Sequence, residues 1–184
     1  MSSDLDAHQP EAKQRASRLL AEGERLLDTG RFEEAKELLL ECVRLEPASA
    51  VFHNKLGVCY ARLGMREDAR AAFQQALSLD PTYAPAHTNM GSLHLEAGRL
   101  DDAMAAYLQA LRHDPDYYIA HHNLGVLYRR QGKISEAVSH WKRANRLEKL
   151  HMRDQVRRGR AGAPSYATWI WITLAAVVVF LLLR

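Results

Sequence analysis

Nine histidines and two cysteines are the side chains with which this chain could hold a metal or build a nucleophile. Three of the histidines, His53, His87 and His121, recur at one constant interval, which raises the question of whether the fold brings them together. A shared zinc ion would require it, because each ligand atom must lie about 2.1 Å from the metal. Cys42 and Cys59 form no CxxC pair, are too few for a disulfide framework and suit a reducing compartment. The distance between the histidines is set by the elements that carry them, and the glycines identify those elements.

Gly23, Gly57, Gly91 and Gly125 are spaced by that same interval, as are Gly30, Gly64, Gly98 and Gly132, leaving only Gly159 and Gly162 of the ten outside the series. Ala35, Ala69, Ala103 and Ala137 keep the step, and so do Pro47, Pro81 and Pro115. A constant period of this length specifies stacked helical repeats. The units cover residues 16–49, 50–83, 84–117 and 118–148, after a polar segment at 1–15. In each, a first helix ends at the second glycine series, where the missing Cβ admits a left-handed C-cap, and a second helix follows at once. The first glycine series and the alanines sit where paired helices approach closely. Tyr60, Phe73, Tyr107, Tyr128 and Trp141 fill the space that remains. Proline closes each of the first three units because it cannot continue a helix. The expected fold class is therefore all-α, a four-repeat helix-turn-helix solenoid.

Equivalent residues of adjacent units then stand about one helix diameter, roughly 10 Å, apart. No single ion spans that distance, so the three histidines are expected to pack helices. Cys42 and Cys59, at small-residue positions, are expected to be buried apolar groups. Turns and crossings account for the glycines, which leaves no phosphate-binding loop. The sequence thus predicts no catalytic residue, metal or cofactor, and points to a binding protein rather than an enzyme.

The second unit, AVFHNKLGVCYARLGMREDARAAFQQALSLDPTY, resembles the tetratricopeptide repeat (TPR): Leu56, Gly57, Tyr60, Ala69, Phe73, Ala76 and Pro81 hold signature positions, and His53 departs from the pattern. The third unit matches with Gly91, Ala103, Tyr107, Ala110 and Pro115, and the fourth with Leu124, Gly125, Tyr128, Ala137, Trp141 and Ala144. The first keeps Leu19, Gly23, Ala35 and Pro47 but carries Glu22, Leu39 and Cys42 off pattern. The resemblance implies that the first helices line a concave groove for a segment of a partner protein. On that face it places Asn54, Lys55 and Arg62, then Thr88 and Asn89, then His122, Asn123, Val126, Arg129 and Arg130, with Val58, Ser92 and Glu96 beside them. Asn89 and Asn123 stand one repeat apart, similar to the asparagine ladders of some TPR superhelices, and an amide can both donate to and accept from a peptide backbone. Lys55, Arg62, Arg129 and Arg130 suit an extended or helical segment of acidic character. The carboxylate clamp of chaperone-binding members is not expected, because Leu20 and Glu24 occupy its Lys and Asn places and Val58 interrupts it when read from the second unit.

The net charge of +3 conceals two parts: residues 1–141 hold 16 Lys or Arg against 20 Asp or Glu, whereas residues 142–160 hold 8 against 2. A basic surface spread over the fold is absent, so nucleic acid is not an expected partner. Lys149 stands where a fourth proline would fall, so the last helix is expected to continue over 149–158 as a basic capping extension. A small-residue linker, GRAGAPS at 159–165, precedes YATWIWITLAAVVVFLLL at 166–183, which carries no charge. A helix of that length spans roughly 27 Å, enough for one transmembrane helix. Tyr166, Trp169, Trp171 and Arg184 are expected at the two membrane interfaces. The basic block beside the span places the repeats on the cytosolic side as a tail-anchored protein, and could also meet anionic lipid. No cleaved secretion signal is expected at the N-terminus. Nineteen Arg against six Lys favours a bacterial cytoplasmic membrane. The function expected is a membrane-anchored adaptor that binds a protein segment and localises or assembles it. The rival readings are a self-associating scaffold and an organelle-surface adaptor of the fission-factor type.

Overall fold

The structure is a computed structural model and describes residues 3–161. These residues form eight α-helices and no strand: α1 (Ser3–Asp28), α2 (Phe32–Leu45), α3 (Ala50–Arg62), α4 (Arg66–Leu79), α5 (Ala84–Glu96), α6 (Leu100–His113), α7 (Tyr118–Arg130) and α8 (Ile134–Ala161). The chain divides into a unit ending at Ala144 and a second beginning at Asn145. The first unit contains four antiparallel helix pairs, α1 with α2, α3 with α4, α5 with α6, and α7 with the start of α8, as the constant register of the sequence requires.

Both ends reach further than the repeat pattern alone suggests. α1 begins at Ser3, within the segment read as a polar lead-in, because Glu11, Ala12, Lys13, Gln14 and Arg15 are all good helix formers. α8 runs past Lys149 and Arg158 to Ala161, into the expected linker, since neither proline nor a capping glycine interrupts it. The predicted membrane span at 166–183, with Tyr166, Trp169, Trp171 and Arg184, lies outside the described residues. Among the described residues no helix is long and apolar enough to cross a membrane.

The turns confirm the glycine reading. Gly30, Gly64, Gly98 and Gly132 have φ of 75° to 77°, and the amide after each donates to the carbonyl five residues before it, as Arg99 does to His94 at 2.9 Å. This is the Schellman arrangement that satisfies the last carbonyls of a helix. Acids cluster in the first turn of second helices (Glu33 and Glu34, Glu67 and Asp68, Asp101 and Asp102), where the helix dipole favours them.

At each crossing a glycine of the first helix faces a large side chain of the second. A Cβ built at Gly57 would lie 2.5 Å from the Phe73 ring, and one at Gly91 would lie 2.6 Å from the Tyr107 ring. Gly125 meets Trp141 in the same way. Leu39, Phe73 and Tyr107 are at most 1% exposed and form the spine of the core.

Cys42 and Cys59 are fully buried, as expected. Their thiols donate to the carbonyls of Ala16 at 3.5 Å, within the first repeat, and of Phe32 at 3.2 Å, which joins the second repeat to the first. Burial pushes both thiols above their ordinary pKa, which lowers the reactive thiolate fraction further. Native protein at neutral pH should therefore resist Ellman's reagent, and both thiols should react once guanidinium unfolds it. Rapid labelling of the native form would contradict this burial.

Candidate functional site

The first helices α3, α5 and α7 stand side by side, and their polar residues meet across the repeats. Asn89 donates from Nδ2 to Asn54 Oδ1 at 2.8 Å, and Asn123 donates to Ser92 Oγ at 3.3 Å. Ser92 in turn lies 3.3 Å from the Tyr107 hydroxyl. The amides of Asn89 and Asn123, expected to serve a peptide backbone, are thus partly spent on neighbouring repeats. Asn54 and Thr88 are 3% and 1% exposed, a correction to their expected place on the groove surface. Their position faces inward between stacked first helices, whereas the next residue in register, Lys55 or Asn89, faces outward.

The cations are also engaged. Lys55 forms an ion pair with Glu24 of α1 at 2.5 Å, Arg130 donates to the Leu95 carbonyl at 3.2 Å, and the Arg129 guanidinium lies 5.6 Å from the Trp141 ring centre. Arg62 and His122 are exposed, while Asn123 and Val126 are half-buried. Between α3 and α5 the groove deepens into a cavity of about 460 Å³ lined by Val58, Ala61, Arg62, Phe73, Asn89, Ser92, Leu93 and Glu96. The predicted residues Arg62 and Asn89 meet there with Val58, Ser92 and Glu96. Sequence reasoning missed Ala61 and Leu93, although they follow Val58 and Asn89 by three and four residues and so share their helix faces. It also assigned Phe73 to the core alone. The cavity has an aromatic floor, an amide and a hydroxyl on its wall, and one cation and one anion among its lining. Such a lining suits one side chain and the adjoining backbone of a polypeptide.

The three periodic histidines share one role. Each ring Nε2 approaches the carbonyl of the proline six residues earlier: His53 to Pro47 at 2.9 Å, His87 to Pro81 at 2.9 Å, His121 to Pro115 at 3.1 Å. Since a carbonyl only accepts, Nε2 carries the proton, and the rings tether each first helix to the turn before it. His87 stacks on His113 with centroids 5.4 Å apart. Among the described residues no three His, Cys, Asp or Glu gather as a metal site.

His121 has a second contact, Nδ1 to Nδ1 of His140 at 3.0 Å. With its Nε2 protonated, His121 must accept at Nδ1 and His140 must donate. Burial holds both imidazoles below the ordinary value of 6.5, with Arg143 adding to the effect at each and Asp116 opposing it at His121. A depressed histidine contributes stability that is fully present above its unfolded value and is lost as pH falls through the folded one. The thermal midpoint should therefore decline as pH falls below 6.5. His140→Leu should remove part of that decline, as read by melting curves across the range.

Four family descriptions match along the chain: "Tetratricopeptide repeat" over residues 20–84, 72–105 and 122–146, and "TPR repeat" over 91–132. A comparison with curated proteins gives no significant match. Among solved structures the chain is similar to MamA, at 26% identity over 82% of this chain and 92% of that one, with a TM-score of 0.59. PilF of Pseudomonas aeruginosa shares the fold at 23% identity, over 82% of this chain and 72% of that one, with a TM-score of 0.66. So does the first TPR of Spaghetti (RPAP3) bound to the HSP90 peptide SRMEEVD, at 21% identity over 65% and 94% and a TM-score of 0.58. With one register visible in glycine, alanine and proline, glycine-capped helix pairs stacked in that register, and family matches tiling residues 20–146, the chain belongs to the tetratricopeptide repeat family.

Proposed function

We propose that this protein is a non-enzymatic, membrane-anchored adaptor whose groove holds a segment of a partner protein at the cytosolic face of a membrane. The observation that carries the reading is the cavity between α3 and α5, which sets Arg62, Asn89 and Ser92 around the ring of Phe73. A side chain entering it would bury apolar area on Val58, Ala61 and Leu93 above the buried ring of Phe73, while Asn89 offers the backbone an amide. Lys55 is already paired with Glu24, and Arg62 is the cation that lines the cavity, so Arg62 is the one that meets an acidic residue of the ligand. The likeness to a TPR bound to an HSP90 peptide supports peptide binding by this fold, but the ligand differs. Glu24, paired with Lys55, stands at the clamp's Asn place in the register and would repel a C-terminal chaperone carboxylate. SRMEEVD should therefore bind at least about tenfold more weakly here than to a clamp-bearing TPR.

The uncharged stretch at 166–183 supplies the anchor and the basic block before it the orientation; by composition the membrane is the cytoplasmic membrane of a bacterium. Alkaline carbonate extraction tests the anchor: the chain stays in the pellet, and release into the supernatant would refute it. For the groove, a crosslinked partner is identified with the full chain and its binding measured against Arg62→Glu and Asn89→Ala. Each should weaken binding about tenfold, the value of one or two good polar contacts. A partner that binds both variants as tightly as the parent does not use the groove.

A further inference from the structure

Among the described residues the repeat register leaves one helix face without cover. In the first three units the second helix is overlaid by the first helix of the next unit. Phe32 and Val43 pack on the cluster that holds Leu56 and Cys59 of α3, and Met104 and Leu111 on the cluster that holds Leu124 and Leu127 of α7. One further repeat step carries Leu100, Met104 and Tyr107 to Ile134, Val138 and Trp141. There Ile134 is 57% and Val138 39% exposed, and Trp141 is half-buried where Tyr107 is fully buried.

The opposite end of the array is built differently. The α1 residues in register with Phe52, Leu56 and Cys59 are Arg18, Glu22 and Arg25, and Arg25 is bonded to Glu22 at 2.5 Å. A polar end cannot seat on an apolar one, so copies of this chain do not stack head to tail. Pairing two open faces is opposed by charge. Arg129 lies over Trp141, Lys133 over Tyr128, and Lys142 is exposed beside them. The nearby acid, Glu136, accepts from Ser135 and stays ionised, offsetting one of these three cations and leaving the face positive. Two copies would press these cations together, whereas an acidic ligand would meet them favourably.

We infer that the face formed by Ile134, Val138 and Trp141 takes an amphipathic helix of another protein, seated as a fifth first helix would be. Its apolar residues repeat the Ala120, Leu124 and Leu127 spacing of α7, and acidic residues flank them. None of these three residues lines the cavity between α3 and α5, so the array can hold one partner there and a helix at its end.

The probe is a fluorescent, hydrocarbon-stapled peptide of the α7 sequence, residues 117–131, carrying His122→Glu, Arg129→Glu and Arg130→Glu, titrated by anisotropy against the full chain in detergent. The peptide binds, Ile134→Glu and Val138→Glu each weaken it at least about tenfold, and Arg62→Glu in the groove leaves it unchanged. A lysine version of the same peptide binds about tenfold more weakly. Ile134 and Val138 are exposed, so their replacement leaves the fold intact, which circular dichroism verifies. Absence of binding, binding insensitive to Ile134→Glu and Val138→Glu, or equal affinity for the glutamate and lysine peptides would each overturn the inference. So would rapid disulfide dimerisation of Val138→Cys without peptide, which would assign the face to a second copy.

Discussion

Replacing Gly91 by alanine lowers stability by about 1–3 kcal/mol, while the same change at Gly23 raises it by about 0.5–1 kcal/mol. Both glycines lie inside first helices at the same repeat position, where alanine ordinarily gains backbone entropy and propensity. What differs is the side chain opposite. At Gly91 the new Cβ would stand 2.6 Å from the Tyr107 ring, and that ring is fully buried with no space to retreat into. The helices must separate or the ring must leave its rotamer, and either cost exceeds the entropy gained. At Gly23 the neighbour is Leu39, 3.4 Å away, an ordinary van der Waals contact. Gly98→Ala provides a third case: nothing lies within 4 Å, but φ is 75°, so the cost of about 1–2 kcal/mol is purely that of a left-handed backbone. Denaturant midpoints on the three variants separate steric, favourable and conformational effects. If Gly91→Ala and Gly23→Ala shift the midpoint in the same direction, the assigned crossing contacts are wrong.

Tyr107→Ala costs more, about 3–5 kcal/mol, as for other large aromatic truncations. The ring packs with Ala103, Leu124 and Leu127 and joins α6 to both α5 and α7. A typical domain is stable by only about 5–15 kcal/mol, so this loss should shift the unfolding midpoint far down, and in a repeat array it should uncouple α7 from the units before it. Tyr107→Phe isolates the hydroxyl, whose bond to Ser92 leads on to Asn123; its cost should be about 0.5–1.5 kcal/mol. Equal losses for the alanine and phenylalanine variants would move the weight from packing to the polar network.

The fold was legible because its constraints are local and periodic. A glycine that must adopt a φ of 77°, as Gly64 does, and a glycine that must admit a ring, as Gly57 does, each leave a mark that recurs once in every repeat. Leu39 was off the family pattern by sequence, yet it fills the place of Phe73 and Tyr107. A leucine serves there because its branched end stops 3.4 Å short of a Cβ at Gly23.

The groove was legible only in outline. Periodicity assigns a residue to a helix face, and Arg62 and Asn89 do line one cavity with Val58 and Ser92. It does not say whether a polar side chain on that face remains free. Asn54 and Thr88 turned inward, Lys55 found Glu24, and Arg130 found the Leu95 carbonyl, all through contacts that depend on how closely one repeat settles on the next. Helix boundaries, caps and crossings are thus determined by the sequence itself, since each follows from a single residue's steric limits. Which cations and amides remain for a ligand is decided only by the tertiary structure, because a hydrogen bond between side chains of different repeats, such as Asn89 to Asn54, exists only once stacking has fixed the distance between them.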